Sequence, residues 1–285
     1  MIIVRLRGGL GNQLFQYAAG RRLAVIHKTE VVLDLSWFSR ISFFDTPRKF
    51  ELEKYKIKAR AVSKKEFFLT VLYRWRVLCP FPFLKVFKER DFLFDGDFLK
   101  LADNTYLIGY WQSYLYFEDI QNLIRKELHL NFPMENLDAA IAAKIKNCMS
   151  VSLHVRRGDY VSNSLASIFH GTCSLKYYTS AIQYIFHRVP EAHFFVFSDD
   201  IEWCRKFLPL TVNNSTFVEH NKSYSAQQDL RLMTFCKHHI IANSSFSWWG
   251  AWLNPDIKKI VIAPRKWFAI ERQTHTLFPE DWILM

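Results

Sequence analysis

A chain of 285 residues, 50% hydrophobic and 23% charged, has room for one large α/β domain or two of ordinary size and needs no disulfide or metal to stay folded. This composition excludes disorder and low complexity, while the net charge of +11 points to an anionic partner and says nothing about the fold. The cysteines (Cys79, Cys148, Cys173, Cys204 and Cys236) are too scattered for a zinc cluster and read as free thiols of a reducing compartment.

The chain opens with an apolar run (Ile2, Ile3, Val4, Leu6), a glycine turn (Gly8, Gly9, Gly11) and an apolar-periodic stretch from Leu14 to Ala24, which together read as strand, turn and helix. The opening residues lack the apolar core of a signal peptide, and no stretch approaches the roughly 20 apolar residues that span a bilayer. A cytoplasmic protein is expected, with peripheral contact to the inner face of the membrane as an alternative. Val31–Leu35 reads as a second buried strand carrying Asp34 near its end. Residues 36–100 carry few strand signals and read mostly as helix and loop.

Between Arg48 and Arg90 thirteen Lys and Arg stand against four Glu, so most of the excess charge lies in residues 48–90. There Phe67, Phe68, Val71, Leu72 and Trp75 recur at helical spacing. They form either a basic amphipathic helix on an anionic membrane or, the preferred reading, a helix packed on its own core with the Lys and Arg heads in water. No recognition motif accompanies the charge, so nucleic acid is not an expected partner. Tyr106–Tyr110 then reads as a strand and Asp119–Leu128 as a helix.

After Pro133 comes an alanine-rich helix, and from there the pattern is regular. Strands at Ser150–Val155, Phe194–Phe197, Thr216–Glu219, His239–Ala242 and Ile260–Ala263 alternate with helices at Leu175–Phe186, Ile201–Phe207, Ala226–Cys236 and Ser247–Leu253. Such alternation implies parallel sheets covered by helices on both faces. The expected architecture is α/β, with two Rossmann-like domains, residues 1–140 and 141–285, and a cleft between them.

Ligands of such sheets bind beyond the carboxyl ends of the strands. The Ser150–Val155 strand delivers Arg156 and Arg157, whose planar guanidiniums suit a diphosphate; the bland alternative is a surface Arg–Asp pair capping a turn. The His239–Ala242 strand delivers Asn243, Ser244, Ser245 and Phe246 to a helix N-terminus, either a phosphate cradle or an ordinary cap. Trp248 and Trp249, which follow, read as core.

The turn from Arg7 to Gln13 lets main chain approach a ligand closely. With Gly9-x-Gly11 and Asp34 it is half of a dinucleotide fingerprint, which makes an NAD(P)-dependent oxidoreductase the rival reading. Leu14 in place of the third glycine counts against it, as do Asn12 and Gln13 facing the site. Asp95-Gly96-Asp97 is either a metal-holding D-x-D or a tight turn, the turn being preferred because the arginines already supply positive charge. Asp199 and Asp200 read as a ribose contact or a helix cap, and His238 and His239 have no matching ligand set. No metal is expected.

The segments GGLGNQLFQYA at 8–18, HVRRGDY at 154–160, QDLRLM at 228–233 and IANSSFSWWGAWLNP at 241–255 together resemble the bacterial α-1,2-fucosyltransferases, from the first residues to the last strand. Only residues 36–100 find no match. The resemblance implies an inverting enzyme of the GT-B type that uses GDP-β-L-fucose without metal or other cofactor. It places Arg156 on the β-phosphate with Arg157 in support, and His154 and Asp229 near guanine. Ser244, Ser245 and Phe246 fall in the loop for phosphate and ribose, and Gly11, Asn12 and Gln13 in the glycine turn, Asn12 near the transferred fucose. The acceptor implied is a galactose-terminated oligosaccharide or glycolipid. Asp159, in the loop of the arginines, is the candidate general base, with orientation of Arg157 as its alternative role; Asp34 is the reserve. A galactoside-binding module without catalysis is the remaining non-enzymatic reading.

Overall fold

The computed structural model describes residues 1–39, 47–63, 66, 84–130, 132–134, 136–158, 171–220 and 226–285. Two units emerge: Met1–Asn131 with Gln273–Pro279, and Phe132–Arg272 with Glu280–Met285. The second begins ahead of the expected boundary at 140. The alanine-rich helix belongs wholly to it, because Ala142 and Ile145 share a core with Phe195, Phe197, Leu232 and Met233.

The first unit holds five parallel strands in the order β3-β2-β1-β5-β4. Its interior is β1 (Ile2–Arg5), β2 (Val31–Asp34) and β5 (Thr105–Ile108), short runs of buried residues of the kind that a parallel sheet covered on both faces selects. Helix α1 (Leu10–Ile26) starts at Gly9 and is buried on nearly every side through its first half. The two edges, β3 (Ala59–Ala61) and β4 (Lys85–Lys88), fall where helix and loop were expected. Both are short, partly exposed and basic, so neither shows the apolar run that marks the inner strands. The expected helix at Asp119–Leu128 is a 3-10 turn, Glu118–Ile120, followed by α2 (Gln121–Glu127). The helix expected from Phe67 to Trp75 lies outside the described residues.

The second unit is a six-stranded parallel sheet in the order β11-β10-β9-β6-β7-β8. Its strands are β6 (Met149–Val155), β7 (Ala192–Ser198), β8 (Ser215–Val218), β9 (His238–Ile240), β10 (Val261–Ala263) and β11 (Ile283–Leu284). The last, two residues long, has no counterpart in the sequence reading. Its helices are α3 (Asn136–Lys146), α4 (Leu175–Arg188), α5 (Ile201–Phe207), α6 (Ala226–Phe235) and α7 (Ser245–Leu253). One sheet face packs Val151, Leu153, Phe194 and Ile240 against Tyr178, Ala181 and Ile185 of α4. The other packs Phe195 and Phe197 against α3 and α6.

In each sheet the direction of strand addition reverses beside the first strand. The reversal falls between β1 and β5 in one unit and between β6 and β9 in the other. These switch points leave a crevice at the strand carboxyl ends, the place where such folds take ligands.

Candidate active site

At the β6–β9 switch point the sequence HVRRG leaves the sheet. Strand register pairs Val155 with Ser198, so the next residues, Arg156 and Asp199, stand side by side. Asp199 accepts from Arg156 Nη1 at 2.9 Å through one oxygen and from the main-chain N–H of Arg157 at 2.8 Å through the other. A Cβ on Gly158 would lie 2.8 Å from the same carboxylate, so a larger residue there would push Asp199 out of place. Arg157 turns another way. Its Nε donates to Asp200 (3.2 Å) and its guanidinium lies 4.4 Å from the centre of the Trp203 ring, while Asp200 caps α5 by accepting from Trp203 N. Arg156 is thus the guanidinium oriented by the strand ends, and Arg157 anchors the turn to α5.

His154 ends β6 beside them, 6% exposed, with its ring 5.6 Å from that of Phe246. Burial drives its pKa down to about 3; the Asp199 carboxylate opposes the shift and Arg156 adds to it. The imidazole is neutral at physiological pH, and its Nδ1 is buried without a partner among the described residues. Across the switch point, Ser244 is the N-cap of α7, and its hydroxyl makes no capping bond. The first-turn N–H groups of a helix have no partner inside it and carry the positive end of its dipole. Asp229 lies in the first turn of α6, which packs against α7. Asn243 is spent on structure: its amide donates to the carbonyls of Gly171 and Trp267.

The other predicted residues lie in the first unit. Gly8, with φ +79°, turns the chain out of β1, and a Cβ there would meet Asn12 Nδ2 at 2.6 Å. Asn12 accepts from Gln112 Nε2 at 2.9 Å. Gln13, expected to face the ligand, is fully buried. Its amide donates to the carbonyls of Gly8 and Lys49 and accepts from Glu51 N, all at 2.9 Å, so it ties residues 49–51 to α1. Gly11 is buried within the first turn of that helix.

Asp34 is likewise interior. Tyr106 Oη donates to one oxygen at 2.6 Å and Ser36 N to the other at 2.9 Å, so the carboxylate neither reaches out to a ribose nor serves as a base. The dinucleotide reading thereby loses its ribose contact, and Leu14, at the third glycine position, is fully buried. Asp95 accepts from Asp97 N and opens a 3-10 turn, and Asp97 pairs with Lys100, as a tight turn requires. Trp248 and Trp249 are fully buried; Trp248 packs against Trp252 and Trp282. Asp159 lies outside the described residues.

Asp199 was read as a ribose contact or a helix cap, not as the partner of Arg156, and Gln112, the partner of Asn12, was passed over. Both act through partners about 40 and 100 positions away in the chain. For Asp199 the signal was present, in two strand ends of opposite charge, HVRR and FSDD.

Two parallel α/β units, each with a switch point at its sheet's carboxyl end, have the architecture of the GT-B glycosyltransferases. The chain belongs to glycosyl transferase family 11, whose profile matches residues 1–285. It is 38% identical to an alpha-1,2-colitosyltransferase of Escherichia coli over 99% of this chain and 98% of that one. It is 36% identical to the O-antigen biosynthesis glycosyltransferase WbnK of Escherichia coli over 98% of each. A mouse galactoside 2-alpha-L-fucosyltransferase, Sec1, is 24% identical over 89% of this chain and 64% of its own. Among solved structures, the fucosyltransferase NodZ from Bradyrhizobium superposes with a TM-score of 0.52 at 16% identity, over 87% of this chain and 91% of that one. That likeness establishes the fold.

Proposed function

We propose that the protein transfers L-fucose from GDP-β-L-fucose to the 2-hydroxyl of a terminal galactose, with inversion. The observation that carries this is Arg156, held by Asp199 at the end of β6, on the switch point it shares with the N-terminus of α7. Here the guanidinium and the α7 main chain stabilise the β-phosphate as the bond from the sugar's anomeric carbon breaks and its electron pair passes to the phosphate oxygen. The galactose O2 attacks the opposite face, so a β-linked donor gives an α-linked product. Its proton passes to a base, for which Asp159 is the proposal. His154, neutral and with Nδ1 unpartnered, suits the guanine edge. Since the positive charge comes from the protein, no metal ion is required. The acceptor is a galactose-terminated oligosaccharide or glycolipid.

The resemblance of the motifs supports fucose, as do the fucosyltransferase relatives. A second donor has a specific observation behind it, the 38% identity to a colitosyltransferase. Colitose is L-fucose without its 3-hydroxyl, so one site accommodates either ring.

The test is a thermal-shift screen with GDP, GDP-fucose, GDP-colitose, UDP, CMP and NADH, followed by transfer assays. GDP and its sugars should raise the Tm, and lactose should be fucosylated. Arg156→Ala should lower turnover by about 10²- to 10³-fold, the scale for removing one transition-state donor. EDTA should leave the rate unchanged. Stabilisation by NADH in place of GDP, or near-normal turnover by Arg156→Ala, would sink the reading. Loss of activity in EDTA with rescue by Mn²⁺ would remove its metal-free step, and a nearly full rate in Asp159→Asn would remove the base.

A further inference from the structure

At the β1–β5 switch point of the first unit one side chain is fixed by its neighbours on both sides yet uses only half of its hydrogen-bonding capacity. Gln112 lies just beyond β5. Before it, the carbonyl of Gly109 accepts from Gln16 Nε2, and the half-buried Glu89 carboxylate accepts from the main-chain N–H of Tyr110 (2.6 Å) and of Trp111 (2.7 Å). Trp111 takes a left-handed φ of +58° while its ring is fully buried against Phe87, Phe98 and Tyr116. After it, Ser113 Oγ donates to the carbonyl of Thr276. Gln112 itself is 8% exposed. Its Nε2 donates to Asn12, while its Oε1 is buried with no partner among the described residues.

A buried amide oxygen that has lost water and gained nothing is costly, and native proteins satisfy nearly all such atoms. Here the main chain is pinned before and after it, which keeps the oxygen where a ligand's donor can complete it. The Arg7 guanidinium lies 3.9 Å from the centre of the Tyr110 ring, and its Nε too is buried without a partner among the described residues. The Glu89 carboxylate on the neighbouring N–H groups offsets this cation, and on the transferase reading the neutral donor on offer is a ring hydroxyl. We infer that Gln112 and Asn12 form a hydroxyl-reading subsite for a pyranose ring, Gln112 Oε1 accepting from one ring hydroxyl while its amide holds Asn12 in place. The inference rests on the transferase reading and adds to it the residue that selects the sugar.

The hydroxyl belongs either to the transferred sugar or to the acceptor, and two arms separate these sources. One compares kcat/KM for GDP-L-fucose with GDP-colitose and with the 2-deoxy and 4-deoxy donors. The other compares lactose with its 3-, 4- and 6-deoxygalactose counterparts. Each series is run on the wild-type protein, on Gln112→Leu, and on Gln112→Glu, which keeps an acceptor oxygen but cannot donate to Asn12. A site built around a hydroxyl rejects the analogue lacking it far more strongly than an apolar pocket rejects a missing methylene. The wild-type protein should therefore disfavour one deoxy analogue by about 10²-fold or more. In Gln112→Leu that ratio should collapse toward one, through loss of rate on the hydroxylated substrate, with the Tm unchanged or raised. Gln112→Glu should keep the ratio at a lower kcat. An unchanged ratio in Gln112→Leu, or a wild-type protein indifferent to every ring hydroxyl, would overturn the subsite alone. Absence of turnover with any of these GDP-sugars in the wild-type protein would overturn the transferase reading and the subsite with it.

Discussion

Arg156 owes its direction to Asp199, and the pair shows how adjacent arginines of one motif divide their work. Arg157 is held between Asp200 and the Trp203 ring, whereas Arg156 meets a carboxylate that also grips the main chain one residue on. In Asp199→Asn a single carbonyl oxygen would face both donors, and the new amide would turn its own N–H groups toward the guanidinium. Misplacement of a catalytic group by about 1 Å costs up to about 10²-fold in rate. Asp199→Asn should therefore lower kcat by about 10- to 100-fold with little change in donor KM and a Tm within a few degrees of wild type. A double variant that loses no more than Arg156→Ala alone would show that the carboxylate acts through that arginine. A normal kcat would dismiss it as a surface pair. Arg156 was legible as a strand-end guanidinium, whereas Asp199 depended on the β6–β7 register. Gln13 was read as facing a ligand because it follows the glycine turn, and Asp34 because it ends the second strand, where a dinucleotide fold binds ribose. Their true partners, Lys49, Glu51 and Tyr106, are brought to them only by tertiary packing.

The elements that sequence reasoning recovered share a cause. β1, β2 and β7 are inner strands of parallel sheets, buried on both faces, so they appear as largely apolar runs, and β6, equally buried, alternates Val151, Leu153 and Val155 with small or polar residues. β3 and β4 are edges and carry Arg60, Lys85 and Lys88 among few apolar residues, while β11 is too short to show any pattern. At this scale the packing of α1 on β1 is the most constrained contact. A Cβ at Gly20 would lie 2.2 Å from Cγ2 of Val4, which is fully buried. Ala is favoured over Gly within a helix by about 1 kcal/mol. Overpacking a dense core costs about 1–3 kcal/mol, and the overlap here is severe enough to exceed that gain. Gly20→Ala should thus be net destabilising by about 1–2 kcal/mol in chemical denaturation. A stabilised variant would show that the helix slides on its strand without cost.

At the scale of the whole molecule the two units differ in how they answer acid. In the second, four histidines have pKa values lowered mainly by burial: His154 and His239 to about 3, and His193 and His238 less far. His239 is fully buried and accepts from Asn254 through Nε2 while its Nδ1 meets Ser152 Oγ, so protonation has no acceptor to serve it. Below the unfolded value of about 6.5 the unfolded chain takes up protons that the native unit refuses. Stability is therefore complete above that pH and falls as the pH drops toward 3, by about 1.4 kcal/mol per pH unit for each histidine once well inside the window. In the first unit the carboxyls pull both ways: burial raises Glu51 and Glu89, which favours the native state in acid. Hydrogen bonds to Arg60 lower Glu30 and Glu66, whose contribution is lost only below the ordinary carboxylate range and so below the start of the histidine window. The second unit should accordingly be the first to open on acidification. Urea unfolding between pH 7 and 5, followed by fluorescence of Trp248, Trp249, Trp252 and Trp282, should show a midpoint that declines below about pH 6.5. Replacing His239 with Gln should flatten that decline by about one proton's worth. A midpoint indifferent to pH across this range would mean that the histidines are protonated in the native unit and that their burial is relieved by motion.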